Sequence, residues 1–593
     1  MRGFLVCFDT QPTLPHAQPD LVEQQLAAWE RSFASSNLRQ ASAPGCRFYL
    51  YSHSPDGAVP ADFNQKLRRA QDGVSLWVGP RVDMADEALL QSSEPSDPIS
   101  GEQAAPAGLE TAICVRFRVH PHSLIVKTDV INSTFVYWTR AGRWLLLSNS
   151  SLTLAQVTRA EIDWCSASEF LASGSIYGNH SLYRNVATLK PATLYAFAAQ
   201  GSATSRTYWD LHRLPFETLS AEEACDRVVR ELDRDFADLG STGKTFILDL
   251  TGGYDSRTNL GFALRKLAHF QTTVSGLPQD EDVKISCALA QHFGIKHTVI
   301  SPVADDDEGH ARRVADSALM TDCEYDLDEY ARIYKAQTRF DTLQQPSIHG
   351  SGGGDIARNI ILRPEFCSPG PEGKLVLESL ISSRFRSAIP SDWSRPDSPL
   401  ADWSSHMRSR IAEYDAPDLP AFARLDILYL RMRMQFWQSR IASSTNRFRS
   451  SFSPWTNRRV LEAMLTSRWR ERRHQMLSRL FLRALRRDLT RFVVARGEPG
   501  GPDLWSAIMA LPARLRYYAG RVAIRLGRPQ FRSYVVGHRY EHLAPQWEQL
   551  LPNMLRPEAA SNLARTAART AQPQVLGRLV SLAHAREALR TPR

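Results

Sequence analysis

The sequence predicts two fold classes in succession: an α+β unit with an antiparallel sheet, then an α/β unit with a doubly wound parallel sheet and a helical C-terminal part. Short strands separated by polar turns over 112–200 indicate the antiparallel sheet. Strands and helices alternate over 245–300, which is typical of a parallel sheet. Beyond residue 310 helical patterns dominate.

The antiparallel part begins with an apolar run over residues 1–9, which predicts a buried strand, and helical periodicity follows near 19–34. The segment 85–108 is rich in Ser, Pro, Ala and acidic residues, so we interpret it as a loop or linker. The strands predicted after it are 112–118, 123–128, 135–138, 144–148 and 193–197.

The parallel part follows a segment of helical periodicity at 221–238. A compact apolar run is followed by a glycine turn and a helical pattern, and the same order of elements then repeats. The predicted elements are the strands 245–250, 271–275 and 296–300 and the helices 256–269 and 282–293.

Composition excludes several classes of protein. Apolar residues make up 43% of the chain and charged residues 23%, as in ordinary globular proteins. No run of about 18 apolar residues occurs, so we expect no membrane span. The start lacks the features of a signal peptide, and the eight cysteines are scattered without a CxxC pair. We therefore expect a cytoplasmic protein without a disulfide framework or zinc cluster.

Positive charge is concentrated in one segment. The net charge is +9, yet residues 431–500 contain 17 arginines against four acidic residues. One interpretation is a solvated helical face, and the other is a surface for phosphates, an acidic partner or nucleic acid. No zinc-finger, RNA-recognition or helix-turn-helix signature occurs, so nucleic acid is not an expected partner.

The most informative segment runs from Phe246 to Arg257, where a strand leads into Gly252 and Gly253 and then a helix. Glycines let the backbone approach an anion, and the N–H groups at a helix start can hold phosphate. Asp255 suits such a place if Mg²⁺ bridges its carboxylate to the phosphates. No Lys-Ser or Lys-Thr follows the glycines, so this is not a Walker A loop. The alternative is a structural strand–turn–helix corner capped by serine.

Leu250-Thr-Gly-Gly-Tyr-Asp-Ser256 resembles the SGGxDS pyrophosphate loop of the asparagine synthetase family of ATP pyrophosphatases, and the stretch 275–297 resembles the second strand and helix of that family. The resemblance implies an adenine contact near the end of that strand, and a role for Asp282 in placing Mg²⁺-pyrophosphate. The ATP- and pyrophosphate-binding residues it implies are Leu250, Thr251, Gly252, Gly253, Asp255, Ser256, Val274, Ser275, Gly276, Asp282 and Gly350.

A glycine-rich turn, Ile348-His-Gly-Ser-Gly-Gly-Gly-Asp355-Ile, resembles the turn of the same family that ends in an aspartate. By that resemblance Asp255 and Asp355 are the Mg²⁺ ligands. Ser351 replaces the usual acidic residue, and Ile356 follows the aspartate as in beta-lactam synthetases, which share the fold. The alternative is a flexible glycine loop. Arg479 occupies the place of the family's catalytic lysine, and otherwise it is an exposed helical arginine.

The segments 129–138 and 144–148 resemble later strands of the family's glutaminase domain, and Arg206-Thr-Tyr-Trp209 resembles its closing segment. This resemblance implies an Ntn-hydrolase-like antiparallel sandwich in the N-terminal half. Family enzymes carry a nucleophilic cysteine after the initiator methionine, whereas this chain has Arg2. Cys7 lies within the predicted strand, where we expect it in the core. We therefore expect a glutaminase-like domain at 1–215 without glutaminase activity, a PP-loop synthetase domain at 216–490 and a helical extension at 491–593.

The resemblance implies an ATP- and Mg²⁺-dependent ligase that activates a carboxylate as an acyl-adenylate and joins it to an amine. The substrates would be small-molecule or peptide carboxylates and amines, with a homodimer as a candidate assembly. Asparagine synthesis is the family's own reaction, and lasso-peptide cyclases and beta-lactam synthetases provide a macrocyclising alternative. A catalytically inactive binding protein and an RNA-modifying PP-loop enzyme are further alternatives. Residues 514–527 could form a basic amphipathic helix on a membrane, but we favour a packed helix.

Overall fold

The computed structural model describes residues 2–12, 21–33, 38–52, 65–70, 72–85, 90–91, 111–303, 306–339, 345–352, 354–357, 363–525, 537–566 and 573–590. Met1 and nearly all of the linker predicted at 85–108 lie outside these residues.

The N-terminal half contains two six-stranded sheets in which all described pairings are antiparallel. One sheet has the order β10-β8-β9-β1-β3-β2 and the other β12-β11-β7-β6-β5-β4. The strands are β1 (Arg2–Asp9), β2 (Leu38–Ala43), β3 (Cys46–Ser52), β4 (Gln65–Ala70), β5 (Gly73–Val78), β6 (Ile113–Arg118), β7 (Ser123–Lys127), β8 (Tyr137–Ala141), β9 (Trp144–Ser148), β10 (Ala187–Thr188), β11 (Thr193–Ala198) and β12 (Ala203–Thr207).

The two sheets pack face to face, and strand β1 shows how. Because side chains alternate along a strand, Phe4, Val6 and Phe8 face the core shared with the second sheet. Leu5 and Cys7 face the opposite way, into a core completed by the helices α1 (Leu21–Arg31), α2 (Ser151–Thr158) and α3 (Trp164–Ser173). Cys7 is therefore a core residue, as predicted, and burial raises the pKa of its thiol.

A parallel five-stranded sheet forms the next part of the chain, in the order β15-β14-β13-β16-β19. Its strands are β13 (Phe246–Asp249), β14 (Phe270–Ser275), β15 (His297–Ile300), β16 (Ser347–Ile348) and β19 (Ser451–Phe452). The connecting helices are α4 (Ala221–Ser241), α5 (Tyr254–Lys266) and α6 (Glu281–Phe293). The prediction of antiparallel sheets followed by a parallel sheet is confirmed, with element ends shifted by a few residues.

The rest of the described chain is mainly helical, with one short hairpin of β17 (Cys367–Ser368) and β18 (Lys374–Leu375) and one π-helix at Tyr429–Gln438. The remaining α-helices are α7 (Asp307–Thr321), α8 (Leu327–Thr338), α9 (Gly354–Ala357), α10 (Leu377–Arg384), α11 (Trp403–Ala412), α12 (Ala421–Leu428), α13 (Ser439–Thr445), α14 (Arg458–Leu465), α15 (Trp469–Arg472), α16 (Met476–Leu485), α17 (Leu504–Arg525), α18 (Ala544–Leu550), α19 (Pro557–Thr566) and α20 (Pro573–Arg590). Among the described helices, none combines the length and the apolar character needed to cross a membrane.

Short 3₁₀ segments connect these elements. They are Val82–Met84, Ala199–Gly201, Leu211–Arg213, Pro364–Phe366, Ser391–Trp393, Pro454–Thr456, Arg473–Gln475, Arg487–Arg491, Ala495–Gly497, Gly537–Leu543 and Leu551–Asn553. At the C-terminal end, Trp547, Leu579 and Val580 share a core with Phe170 of α3. The C-terminal helices therefore pack on the N-terminal half, and the domain boundaries at 215 and 490 stay predictions.

Several arginines of the segment 431–500 are buried. They therefore belong neither to a solvated helical face nor to a surface that binds phosphates, an acidic partner or nucleic acid. Arg440 pairs with Glu324, and Arg447 pairs with Asp322 at 3.0 Å. Arg472 pairs with Asp426 at 2.6 Å. A buried charge needs such a partner because leaving water is costly. Part of the basic excess therefore binds elements together inside the fold rather than facing solvent.

Candidate functional site

Two loops meet where the strand order of the parallel sheet reverses. Strand β13 lies between β14 and β16, so the chain leaves β13 on one side and returns through β16 on the other. In open parallel sheets this reversal point, at the carboxyl ends of the strands, is where ligands bind. The loop at 250–253 follows β13, and the glycine turn at 349–354 follows β16. The fold thus brings two separately predicted segments to one place.

The first loop presents three consecutive backbone N–H groups, and each donates to a side-chain oxygen. Thr251 donates to Ser256 Oγ at 3.0 Å, Gly252 to Asp282 Oδ1 at 2.9 Å, and Gly253 to Thr251 Oγ1 at 3.2 Å. The hydroxyls of Thr251 and Ser256 also lie 3.0 Å apart. The helix α5 begins immediately afterwards, so its N-terminal end adds partial positive charge. This arrangement of donors suits an anion.

The glycine turn lies directly against the first loop. A β-carbon on Gly350 would lie 2.9 Å from the backbone nitrogen of Ser256, and one on Gly354 would overlap the carboxylate of Asp255. Only glycine leaves room for this approach. The side chain of Asn259 also donates to the carbonyl oxygen of His349 at 3.2 Å, which fastens α5 to the turn.

The carboxylates at the site differ in their contacts. Asp355 accepts a hydrogen bond from the hydroxyl of Tyr429, and Asp255 lies against Gly354, the residue before Asp355. Asp282 holds the amide of Gly252. Among the residues that the structure describes, no group of three or more His, Cys, Asp or Glu side chains is arranged to hold a metal. Mg²⁺ usually takes one or two carboxylates and completes its shell with phosphates and water. Two carboxylates such as Asp255 and Asp355 would suffice for that ion, and their role as its ligands stays a prediction.

The segment predicted to contact adenine follows β14. Val274 is buried, Ser275 is exposed, and Gly276 donates its N–H to the carbonyl oxygen of Ile300 at 3.0 Å. A β-carbon on Gly276 would lie 2.6 Å from Val283, so the strand end is packed closely onto α6. This leaves the end of β14 adjacent to β13 with one side chain open to solvent.

Arg479 lies on α16 and is not an exposed helical arginine, because only 12% of its side chain is accessible. Its guanidinium is 3.8 Å from Glu498, and it lowers the pKa of the Tyr254 hydroxyl against a larger rise caused by burial. Tyr254 directly follows the first loop. Arg479 therefore lies behind the loop, with an acidic partner, and its catalytic role stays a prediction.

A short segment from the C-terminal part closes on the first loop. The N–H of Ala495 donates to the carbonyl oxygen of Gly252 at 3.0 Å, and the N–H of Arg496 donates to Glu281 at 2.9 Å. The buried guanidinium of Arg257 donates to the carbonyl oxygen of Phe492 at 2.7 Å. These contacts were absent from the prediction because residues more than 200 positions apart in sequence give no local signal of contact.

Two partly buried ionisable residues near the loops were also missed. Burial raises the pKa of Asp249, at the end of β13, to about 7, while Arg449 opposes the rise. Burial lowers the pKa of His349 to about 4, so its imidazole is neutral at pH 7. His349 lines a small cavity of about 20 Å³ between the glycine turn and the N-terminal half. A sequence signal existed for each, since a charged or basic residue inside an apolar strand or glycine turn is uncommon.

The position that carries a nucleophile in glutaminases is structural here. The side chain of Arg2 is 1% exposed, its backbone N–H donates to the carbonyl oxygen of Arg447 at 2.9 Å, and its guanidinium donates to that of Phe448 at 2.6 Å. Arg2 therefore fixes β1 to the segment before β19, and a guanidinium is no nucleophile.

No protein-family model matches the chain, and no curated protein matches it. Among solved structures, one match is titled as the allosteric regulatory enzyme of purine biosynthesis, with 10% identity and a TM-score of 0.22 over 50% of this chain. The match spans 64% of that enzyme, less than two thirds of its length. Another is a glutamine phosphoribosylpyrophosphate amidotransferase from B. subtilis, with 9% identity and a TM-score of 0.20, over 65% of this chain and 89% of that one. These TM-scores are too low to support a shared activity, so the family resemblance stays a prediction.

Proposed function

We propose that the chain is an ATP-dependent carboxylate–amine ligase that forms AMP and pyrophosphate, and that it performs this reaction without hydrolysing glutamine itself. The proposal extends the resemblance to asparagine synthetases and their macrocyclising relatives. One observation carries it: the loop 250–256 and the glycine turn 349–355 meet at the reversal point of the parallel sheet, with Asp255 between them.

The loop supplies what a leaving pyrophosphate requires. Three consecutive N–H groups lie beside a helix N-terminus, and each donates to a different side-chain oxygen, two of which belong to the hydroxyls of Thr251 and Ser256. Phosphate oxygens can replace these oxygens as acceptors. Mg²⁺ held by Asp255 and Asp355 would offset negative charge on the phosphates. Adenine would contact the end of β14 around 274–276, where the exposed Ser275 lies beside the loop.

In the proposed reaction a substrate carboxylate oxygen bonds to the α-phosphorus of ATP, and the bond from that phosphorus to the bridging oxygen of pyrophosphate breaks. An amine nitrogen then bonds to the acyl carbon, the bond to AMP breaks, and the nitrogen loses a proton. The chain's contribution is placement and charge compensation. Thr251, Gly252, Gly253 and Ser256 bind the departing phosphates, and Arg479 adds positive charge behind them.

Exchange of labelled pyrophosphate into ATP tests this function. With Mg²⁺ and pools of carboxylic acids, we expect exchange with at least one pool, and we expect Asp255→Asn to lower it by about 100-fold or more. Asp226→Asn, at an exposed position on α4, is the matched control and should leave exchange unchanged. Tight binding of ATP without exchange in any pool would favour the inactive binding protein. Equal exchange by Asp255→Asn and the wild type would reject this site.

A further inference from the structure

The helix α17 exposes an unusual amount of apolar surface. Ten large apolar side chains are strongly exposed among the described residues, and seven of them lie on this one helix. Leu504 is 76% exposed, Trp505 69% and Leu515 62%. The others are Ile508, Met509, Leu511 and Tyr518. A contiguous apolar surface of this kind marks an interaction site. We favoured a packed helix for 514–527, but residues 514–519, the part of that range whose burial is described, are mostly exposed.

The exposed side chains lie on the side of α17 that faces away from the protein. The helix is held through a narrow stripe that includes Ser506 and Ala510, which are buried. Gly497 lets the chain pack closely against α17, because a β-carbon at this position would overlap the backbone of Arg514. Its φ of 70° is also readily accessible to glycine. At about 100° per residue, Ser506 and Ala510 lie roughly half a turn from Ile508 and Leu515. The apolar face therefore points outward.

Positive charge borders this face. Arg514 and Arg516 are exposed, and by helical spacing they lie on opposite sides of Leu515 and Ile508, the centre of the apolar surface. No acidic residue occurs between Asp503 and Glu541, whereas seven arginines do. Two copies of this face would bring like charges together, which opposes self-association. Nucleic acid would use the arginines but gains little from Ile508, Met509 and Leu515.

We propose that α17 docks on the surface of an anionic lipid bilayer, with its axis in the plane of the membrane. The leucine, isoleucine and methionine side chains enter the boundary of the acyl chains, Trp505 and Tyr518 lie at headgroup level, and Arg514 and Arg516 bind lipid phosphates. The helix lies on the membrane and does not cross it. This inference does not depend on the proposed ligase activity.

Docking would bring the bilayer close to the candidate site. Gly497 packs against the backbone of α17. Ala495, two residues earlier, donates its N–H to the carbonyl oxygen of Gly252 in the first loop. The membrane would thus lie near the loop, where an amphiphilic substrate could reach it.

Sedimentation of the full chain with vesicles tests the proposal. We expect binding to phosphatidylcholine vesicles that contain 30% phosphatidylglycerol. Binding to vesicles of phosphatidylcholine alone should be weaker by about tenfold or more. Ile508→Ser with Leu515→Ser should lower binding to anionic vesicles by more than about tenfold. Arg514→Gln with Arg516→Gln should lower it about 25-fold, since each arginine near an anionic surface contributes about fivefold. These side chains are exposed, so the variants should keep the wild-type thermal midpoint.

Matched variants elsewhere control for general effects. Leu21→Ser removes an apolar side chain that is 56% exposed, and Arg184→Gln with Arg213→Gln removes the same charge from other exposed positions. Both should bind vesicles as the wild type does. No wild-type binding to anionic vesicles would overturn the proposal, as would equal losses in test and control variants. A dimer that Leu515→Ser dissociates, or RNA binding that only the arginine variants lose, in the absence of vesicle binding, would assign the face to those partners.

Discussion

The backbone N–H of Gly252 donates to Oδ1 of Asp282 across 2.9 Å, and this bond joins the start of α5 to the start of α6. In the proposed nucleotide complex, a phosphate oxygen would take the position that this carboxylate occupies. A carboxylate and a phosphate repel each other, so nucleotide binding requires Asp282 to release this amide or to share a cation with the phosphates. Substitutions of Asp282 can therefore separate its contribution to fold stability from its contribution to function.

We predict that Asp282→Asn lowers pyrophosphate exchange at least about tenfold while changing the free energy of unfolding by less than about 1 kcal/mol. Asparagine keeps a side-chain oxygen for the Gly252 amide but loses the charge that would attract Mg²⁺ and so help to place Mg²⁺-pyrophosphate. Asp282→Ala should lower exchange similarly and also destabilise the fold by about 1–2 kcal/mol, because the amide loses its acceptor. Exchange assays and urea unfolding of both variants provide the check. Full exchange by Asp282→Asn would show that the charge has no role.

Gly354→Ala should disrupt the meeting of the two loops. The added β-carbon overlaps the Asp255 carboxylate, so one of the loops must shift, at a cost of about 1–3 kcal/mol. We expect a loss of nucleotide affinity of about tenfold or more, measured by calorimetric titration with ATP and Mg²⁺. Gly142→Ala is the matched control, since nothing lies within 4 Å of a β-carbon there and only its left-handed backbone, with a φ of 58°, is strained. Equal ATP affinity in both variants would contradict the assigned loop contact.

Asp249 should make stability depend on pH. Its pKa is about 7 in the fold against 3.8 as the ordinary value, so the folded chain keeps a proton that the unfolded chain loses. The stabilisation is complete below about pH 4 and is lost as pH rises to about 7, by up to about 1.4 kcal/mol per pH unit. The Asp249→Asn variant has no carboxyl group at this position and so does not lose this stabilisation as the pH rises. Its thermal midpoint relative to that of the wild type should therefore rise between pH 5 and pH 7.5. A constant difference between the two proteins would exclude a raised pKa at Asp249.

Substitutions at Arg479 separate catalysis from structure. If its charge assists the departing pyrophosphate, Arg479→Ala should lower kcat by about tenfold or more with little change in the KM for ATP, and Arg479→Lys should recover part of kcat. If Arg479 only pairs with Glu498, Glu498→Gln and Arg479→Ala should lower thermal stability alike and leave kcat unchanged. The initial rate of pyrophosphate release distinguishes these results.

Local patterns in the sequence predicted three of the five strands of the parallel sheet, and missed β16 and β19. The glycine turn after β13 and the apolar runs of β13, β14 and β15 are short-range signals, and they placed these strands within a few residues. The helices α2 and α3 were missed because the range 112–200 was assigned to strands. Their caps were visible: Ser150 and Asp163 accept from the N–H groups three residues on, and Gly174 ends α3.

Long-range contacts set the limit on predicting the site. The sequence identified the two loops, yet it could not show that Gly354 leaves space for Asp255, or that Asp282 holds Gly252, because these pairs are distant in the chain. Long-range contacts also decide which charged side chains are buried. Arg447 pairs with Asp322 across 125 residues, so a count of charges assigned it to a surface although it is buried.

A crystal structure with Mg²⁺ and the α,β-methylene analogue of ATP tests the central claim most directly, because it requires no knowledge of the carboxylate substrate. We predict the β- and γ-phosphates at the N–H groups of Thr251, Gly252 and Gly253, with Asp282 released from Gly252 and the metal ion between Asp255 and Asp355. A saturated crystal in which these amides still donate to Ser256, Asp282 and Thr251, with the nucleotide elsewhere or absent, would contradict the account.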